Sequence, residues 1–213
     1  MKKIPRISGL YAITPDTWDT ERLVQQVASV LAGGASIVQY RHKGGHAALR
    51  RAQAAALVEE CRARGALFLV NDDVELALEV GADGVHLGRQ DMAVMEARQR
   101  LGVNAVIGAS CYNELWRGDR AAAAGADYLA FGSFFPSSTK PHAQRATFDI
   151  LSEARRRWHL PLVAIGGITV TNAGSLIECG ADALAVISAL FDADDAQAAA
   201  REFTQLFEHR LPA

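Results

Sequence analysis

Two cationic side chains follow a short apolar segment early in the chain. Residues 36–41 are typical of a buried strand, and alternation places Gln39 and Arg41 on one of its faces, with Lys43 just beyond its end. Two cations that converge on one cavity favour an anionic ligand, and a phosphate or diphosphate is the natural candidate. The alternative is a solvated loop that carries a chance pair of charges, and this segment alone does not decide between them.

Carboxylates follow the next two predicted strands. Asn71, Asp72 and Asp73 come directly after the third strand, and Asp91 comes after the fourth. An aspartate before a helix usually caps it, so Asp73 is expected to cap the helix that begins near Val74, which leaves Asp72 free. If the two strands are neighbours, Asp72 and Asp91 face the same opening, where two carboxylates and phosphate oxygens suit Mg²⁺. The spacing by itself is not specific for a metal.

A long connection follows the sixth predicted strand. It covers residues 133–146, about fourteen residues, which is long for a loop between a strand and a helix. The connection carries several hydroxyl groups and two prolines. We expect a lid that offers Thr139 and Lys140 to a phosphorylated substrate and then excludes water, whereas the alternative is a disordered surface loop.

Small residues follow the last two predicted strands. Gly166 and Gly167 come after the seventh strand, and Ser188 ends the eighth. Paired glycines beside a hydroxyl match the phosphate cradle that barrels of alternating strands and helices often build there from backbone N–H groups. Ser110, at the end of the fifth strand, adds a hydroxyl at the same rim or caps the following helix. His86, within the fourth strand, is expected to be a buried, hydrogen-bonded core histidine rather than a catalytic group.

A regular alternation of two kinds of segment positions these polar residues. Short apolar segments alternate with alanine-rich segments in which apolar residues recur at helical spacing. The eight predicted strands are Gly9–Thr14, Ser36–Arg41, Leu67–Val70, Gly84–Leu87, Ala105–Ser110, Tyr128–Gly132, Leu162–Ile165 and Ala183–Ser188. The alternation predicts a single-domain α/β fold over residues 1–213, a (β/α)8 TIM barrel with its functional groups at the C-terminal ends of the strands. A doubly wound open sheet is the alternative, although it usually has fewer strands.

A weak internal repeat supports the barrel. A glycine, an alanine and then a serine or aspartate precede every second strand, beginning at Gly34, Gly81, Gly125 and Gly180. The glycine can adopt the left-handed conformation that ends a helix, and the polar residue then turns the chain into the barrel. Because the repeat lies at the N-terminal ends of strands, we interpret it as structural.

Composition excludes several classes of protein. Of the 213 residues, 50% are apolar and 22% are charged, and the formal net charge is −2, so neither disorder nor a nucleic-acid partner is indicated. We expect no secretory signal, because no apolar signal core of useful length follows the basic first residues. We also expect no membrane span, because no stretch reaches the roughly 18–20 apolar residues that a span needs. Cys61, Cys111 and Cys179 form no CxxC pair, which argues against a disulfide framework or structural zinc and favours the cytoplasm. The oligomeric state stays open, and a homo-oligomer is compatible with the sequence.

The chain resembles the thiamine-phosphate synthase (thiamine-phosphate diphosphorylase) family over nearly its whole length. The resemblance rests on segments that occur in order at the predicted strand ends: residues 39–43, 71–73, 81–88 with Asp91, 131–140, 165–168 and 186–188. It implies a transferase that joins 4-amino-5-hydroxymethyl-2-methylpyrimidine diphosphate to 4-methyl-5-(2-phosphooxyethyl)thiazole and releases diphosphate. It further implies dependence on Mg²⁺ and a dissociative substitution at the pyrimidine methylene carbon, without a protein nucleophile.

The resemblance also implies a role for each matching residue. The pyrimidine diphosphate would be bound by Gln39, Arg41, Lys43, Asn71, Ser110 and Lys140. The catalytic residues among them would be Arg41, Lys43, Ser110 and Lys140, with Mg²⁺ held by Asp72 and Asp91. The thiazole phosphate pocket would be formed by Ser137, Ser138, Thr139, Gly167, Ile187 and Ser188. The family often has an acid where His42 stands and threonine where Ser137 stands, and we expect both departures to have little effect.

Two other functions stay open. A thiazole tautomerase-type relative would share the barrel and the thiazole pocket without the full diphosphate and metal set. A non-catalytic sensor of a phosphorylated ligand would need only the cradle at Gly167 and Ser188. The synthase is favoured by the joint presence of Arg41, Lys43, Asp72, Asp91 and Lys140. No Ser/His/Asp or Cys/His arrangement indicates a hydrolase.

Overall fold

A computed structural model describes residues 7–137 and 144–208 of the protein, and within them eight parallel strands form a closed barrel. The strands are β1 (Gly9–Ile13), β2 (Ile37–Tyr40), β3 (Leu67–Asn71), β4 (Gly84–Leu87), β5 (Val106–Tyr112), β6 (Tyr128–Gly132), β7 (Leu162–Ile165) and β8 (Ala183–Val186). Each strand pairs with the next along the chain, and β8 closes the barrel on β1. The prediction of a (β/α)8 TIM barrel is confirmed.

Helices connect the strands and cover the outside of the barrel. They are α1 (Thr20–Ala32), α2 (Ala47–Arg64), α3 (Val74–Val80), α4 (Val94–Leu101), α5 (Leu115–Ala123), α6 (Asp149–Arg157), α7 (Val170–Glu178), α8 (Ser188–Phe191) and α9 (Ala196–Glu208). The last helix packs against α1 and α7, next to the closure between β1 and β8. In the part of the chain that the structure describes, every helix is too short or too polar to cross a membrane.

The strands bury both of their faces. One set of side chains, which includes Tyr11, Leu69 and Tyr128, fills the barrel interior. The alternate set, which includes Val38 and Phe68, packs under the helices. Burial on both faces explains why the strand segments are continuous apolar runs in the sequence. Polar side chains enter the interior mainly toward the C-terminal ends of the strands, where they can face a ligand.

The glycine repeat has the structural role that its position predicts. Gly81 and Gly125 end their helices at φ values of +66° and +90°, which favour glycine. Asp83, Asp127 and Asp182 of the repeat accept 2.8 Å hydrogen bonds from the backbone N–H groups of Phe68, Ile107 and Leu162, respectively. Each aspartate therefore ties the start of its own strand to the start of the preceding one.

Asp127→Ala is expected to lower the free energy of unfolding by about 3 kcal/mol. The Asp127 side chain is only 8% exposed and also accepts a 2.6 Å hydrogen bond from Arg98, so its removal deprives a buried N–H and a guanidinium of their acceptor. Chemical denaturation of both forms measures the difference. Asp119→Ala is the control, because Asp119 is 48% exposed and lies 3.4 Å from Arg157. Equal losses in the two variants would contradict a structural role for the repeat.

The cysteines carry free thiols. Burial raises the pKa of both Cys61 and Cys111 to about 12, so these two groups stay protonated at neutral pH. A buried, protonated thiol is a poor nucleophile, and neither cysteine is a candidate for covalent catalysis.

Candidate active site

A cavity of about 1040 Å³ opens at the C-terminal ends of the strands. The predicted site residues that the structure describes all line it: Gln39, Arg41, Lys43, Asn71, Asp72, Asp91, Ser110, Ser137, Gly167, Ile187 and Ser188. Ser138, Thr139 and Lys140 lie outside the described residues. The fold thus gathers at one cavity residues that come from separate strand ends, while their individual roles stay predictions.

The loop after β1 holds the two cations of the β2 end in place. Arg41 Nη1 donates to Asp16 Oδ1 at 3.0 Å, and the backbone N–H of Lys43 donates to the same oxygen at 3.1 Å. The Thr14 hydroxyl accepts from Arg41 N at 2.9 Å and donates to Arg41 O at 3.1 Å. Because β2 ends at Tyr40, one residue earlier than predicted, these contacts rather than strand pairing orient Arg41. Asp16 is absent from the predicted site, although an acidic residue soon after the first strand could have marked it.

The two aspartates after β3 have different tasks, as predicted. Asp73 caps α3, because its Oδ1 accepts from Leu76 N at 3.0 Å. Asp72 lines the cavity and has a φ of +64°, a left-handed conformation that aspartate tolerates better than most residues. Its Oδ2 accepts from Lys43 Nζ and, at 2.7 Å, from Asn71 Nδ2. The sharp turn in the backbone separates the cap from the cavity-lining carboxylate.

Asp72 and Asp91 form a hydrogen-bonded pair of carboxyl groups at the ends of β3 and β4. Burial and the bond to Asp72 raise the pKa of Asp91, although Gly88 N–H, which donates to Asp91 Oδ2 at 2.6 Å, opposes that shift. Burial would also raise the pKa of Asp72, but the bonds with Asp91 and Lys43 keep it below its ordinary value. The pair therefore concentrates negative charge at Asp72 and holds a proton more readily at Asp91.

This carboxyl pair fits Mg²⁺ when a ligand supplies further oxygens. Mg²⁺ takes one or two protein carboxylates and completes its shell with water and substrate phosphates. Burial is the main reason why the pKa of Asp91 is raised, and a divalent cation would favour the charged form of the carboxyl group. Over residues 7–137 and 144–208, no group of three or more His, Cys, Asp or Glu side chains could hold a metal ion. At this pair the chain would supply two carboxylates, and water and ligand oxygens would complete the shell.

A chain of hydrogen bonds crosses the barrel interior at the floor of the cavity. Gln39 Nε2 donates to Tyr11 Oη at 2.6 Å, and Tyr11 Oη lies 2.8 Å from Tyr128 Oη. Tyr128 Oη lies 2.9 Å from His86 Nδ1, and His86 Nε2 lies 2.8 Å from Ser110 Oγ. The chain joins Gln39 on β2 to Ser110 on β5, two of the predicted substrate-binding residues. The prediction of a buried, hydrogen-bonded His86 is confirmed.

The ring of Tyr128 depends on the glycine at position 108. A Cβ on Gly108 would lie 1.9 Å from Tyr128 Cζ, so only glycine leaves room for the ring. His86 stacks on this ring with centroids 5.6 Å apart. Tyr11 and Tyr128 are absent from the predicted site, because buried tyrosines within strands are indistinguishable in the sequence from ordinary core residues.

The opposite side of the cavity is formed by the loops after β6, β7 and β8. Gly167 has a φ of +62°, and a Cβ there would lie 2.1 Å from Pro136 O. The loop after β6 therefore packs directly on the Gly167 backbone, which brings Ser137 to the cavity. Ser188 begins α8, so β8 ends at Val186 rather than at Ser188 as predicted. Around the closed barrel, β7 and β8 lie opposite β3 and β4.

His42 points away from the cavity, as strand alternation predicts. Its side chain is buried, its Nε2 lies 2.9 Å from Thr17 O, and Trp18 packs edge-on against its ring. His42 therefore packs against the loop after β1 and is not among the residues that line the cavity.

Comparisons with known proteins agree with this geometry. The family model for thiamine monophosphate synthase matches residues 10–190 of the chain. A thiamine-phosphate synthase of Chromobacterium violaceum is 56% identical over 206 residues, which cover 97% of this chain and 99% of that protein. A thiamine-phosphate synthase of Thiobacillus denitrificans is 55% identical over 199 residues, which cover 93% of this chain and 94% of that protein.

A solved structure shows the same likeness. The thiamine phosphate pyrophosphorylase from Pyrococcus furiosus is 37% identical, with a TM-score of 0.85, and the match covers 96% of this chain and 97% of that one. The resemblance seen in the sequence, and the prediction of a transferase, are confirmed. The chain belongs to the thiamine monophosphate synthase family.

Proposed function

We propose that the protein joins 4-amino-5-hydroxymethyl-2-methylpyrimidine diphosphate to 4-methyl-5-(2-phosphooxyethyl)thiazole, giving thiamine phosphate and diphosphate. One observation carries the proposal. The cations and carboxylates of the predicted diphosphate site and the small residues of the predicted thiazole phosphate site line opposite sides of the same cavity. Two anionic substrates fit such a cavity side by side, and membership of the family supports the reaction.

Arg41 and Lys43 supply positive charge for the diphosphate. Each is held by a carboxylate, Arg41 by Asp16 at 3.0 Å and Lys43 by Asp72. A bound diphosphate would replace or share these partners with its own oxygens. Because the cations are already in place, they stabilise the negative charge that grows on the leaving group with little reorganisation of the protein.

Asp72 and Asp91 would hold Mg²⁺ together with diphosphate oxygens. When bound, the ion neutralises negative charge on the leaving group. Lys43 donates to Asp72. From its position beside Asp72, the Lys43 ammonium would contact the diphosphate and add its charge to that of the ion.

The proposed substitution is dissociative and needs no protein nucleophile. The bond between the methylene carbon and the diphosphate oxygen breaks with both electrons on oxygen, and the electron-rich aminopyrimidine carries the positive charge. The thiazole nitrogen then attacks the methylene carbon. The chain holds the two substrates together and excludes water, with the thiazole phosphate bound by Ser137, Ser138, Thr139, Gly167, Ile187 and Ser188.

Lys140→Ala is expected to lower kcat by roughly 100-fold, because the ammonium acts on the leaving diphosphate when the connection after β6 closes. The KM for the thiazole phosphate should change much less. Arg145→Ala is the control, because Arg145 is an exposed cation in the same connection. Steady-state kinetics of both variants measure kcat and KM. An unchanged kcat in Lys140→Ala would show that Lys140 has no part in catalysis.

The reaction itself is tested by mixing purified protein with both substrates and Mg²⁺ and following thiamine phosphate by mass spectrometry. We expect product only when both substrates are present, and none when a chelator removes the metal. Binding of the thiazole phosphate without product would favour the tautomerase-type or sensor alternative. Product that forms equally well in the chelator would retain the coupling reaction and contradict the metal site.

A further inference from the structure

We propose that Tyr11, Tyr128 and His86 are positioning residues that orient the Ser110 hydroxyl as a hydrogen-bond donor toward the cavity. The inference deepens the proposed function and rests on it, because the acceptor would be an atom of the pyrimidine diphosphate. The relay consists of the hydrogen-bond chain from Gln39 through these three residues to Ser110. Its members come from five different strands of the barrel.

We assign the direction of the relay by counting hydrogens from Gln39. Gln39 Nε2 can only donate, so Tyr11 Oη accepts from it at 2.6 Å. Either phenol could donate in the 2.8 Å contact between Tyr11 Oη and Tyr128 Oη, and we take Tyr11 as the donor, because its single hydrogen then has a partner. Tyr128 in turn has one hydrogen to give, and its next partner is His86 Nδ1 at 2.9 Å. With Tyr11 as the donor, each later step follows from the one before it.

His86 converts this direction into a role for Ser110. In the proposed direction Nδ1 accepts from Tyr128, so the single hydrogen of the ring lies on Nε2, which donates to Ser110 Oγ at 2.8 Å. The Ser110 oxygen then acts as an acceptor within the relay, and its own hydrogen can point into the cavity that Ser110 lines. Serine alone could either donate or accept, and the relay selects donation.

The surroundings keep the relay from rearranging. Tyr11 and Tyr128 are fully buried, and burial raises the pKa of Tyr11 to about 12 and raises that of Tyr128 as well. Both phenols therefore keep their hydrogens at neutral pH. The Tyr128 ring is confined by Gly108 on one side and stacks on His86. The relay is a rigid element of the barrel interior.

A donor at this point has a chemical consequence for the substrate. Ring nitrogens of an aminopyrimidine and oxygens of a diphosphate are both hydrogen-bond acceptors. The Ser110 hydroxyl attracts such an atom only if its hydrogen faces that atom. An oriented donor raises the affinity for the pyrimidine diphosphate without any contact to the thiazole phosphate. The relay thus predicts an effect on one substrate only.

The tautomer of His86 is the direct test, and it does not require activity. In ¹⁵N NMR spectra of the ligand-free protein, we expect a protonated, pyrrole-type Nε2 and an unprotonated, pyridine-type Nδ1. A hydrogen on Nδ1 would reverse the relay and overturn the proposal. This result stands even if the protein does not couple the two substrates, so failure of the relay and failure of the proposed function are distinguishable.

Kinetics of Tyr128→Phe supply the second test, since the change removes only the hydroxyl and keeps the ring. We expect the KM for the pyrimidine diphosphate to rise about five- to tenfold, the size of one lost hydrogen bond, with the KM for the thiazole phosphate unchanged. In a Ser110→Ala background, Tyr128→Phe should have little further effect. Equal effects with and without the serine would overturn the proposal.

Tyr40→Phe is the matched control. Tyr40 is also a buried tyrosine, and its hydroxyl donates to Gln53 at 2.9 Å on the outer side of the barrel. The control should lose stability like Tyr128→Phe and keep both KM values. A rise in the KM for the pyrimidine diphosphate in this variant too would assign the effect to general destabilisation and overturn the relay.

Discussion

Asp91→Asn is expected to lower kcat/KM by roughly 100-fold at a fixed Mg²⁺ concentration and to raise the Mg²⁺ concentration needed for half the maximal rate. Asparagine keeps an oxygen for Gly88 N–H, which now donates to Asp91 at 2.6 Å, so the loop after β4 should keep its shape. The substitution removes the negative charge next to Asp72 that a cation would neutralise. Initial rates over a Mg²⁺ titration measure both effects.

The control for this prediction is Asp119→Asn, which removes one aspartate charge from the exposed face of α5. It should leave the rate and the Mg²⁺ requirement unchanged. If Asp91→Asn needs no more Mg²⁺ than the unaltered protein, the carboxyl pair is not the metal site, whatever the loss in rate.

Gly167→Ala is expected to raise the KM for the thiazole phosphate by at least about tenfold and to lower stability by about 1–2 kcal/mol. The new Cβ would lie 2.1 Å from Pro136 O and 2.8 Å from Phe135 C, and φ at this residue is +62°. The loop after β6 must therefore move away from β7 and carry Ser137 with it. Substrate titrations in the coupling assay measure the two KM values.

Gly174→Ala gives the matched comparison. Gly174 lies within α7, and no heavy atom approaches within 4 Å of an added Cβ. Alanine there should preserve both KM values and stabilise the helix by about 0.5–1 kcal/mol. An unchanged KM for the thiazole phosphate in Gly167→Ala would show that close packing of the loop after β6 on Gly167 is not needed to bind this substrate.

The barrel could be predicted because its strands are buried on both faces and its helices carry apolar stripes, and both patterns are local in the sequence. The exact strand ends could not. β5 extends to Tyr112, beyond its predicted end at Ser110, because Tyr112 pairs with Phe131 of β6 across a bulge. That pairing depends on a neighbouring strand, and the apolar pattern of β5 alone does not contain it.

The residues at the rim of the site could be predicted from the sequence, but the hydrogen bonds that link the interior residues could not. Positions at strand ends were enough to bring Arg41, Asp72 and Ser188 to one cavity, since the closed barrel gathers those ends. The links between them depend on distances across the barrel. The hydroxyl of Tyr128 meets Tyr11 and His86 because β6, β1 and β4 face one another around the interior. No local pattern reports such contacts between strands that are not neighbours.

Calorimetry tests whether the cavity has two separate anion regions. Thiazole phosphate is titrated into the protein alone and into protein saturated with Mg²⁺ and inorganic diphosphate. We predict one thiazole phosphate per chain in both titrations, with a Kd that diphosphate does not raise. A Kd that rises in proportion to the diphosphate concentration would show instead that the two anions compete for a single region.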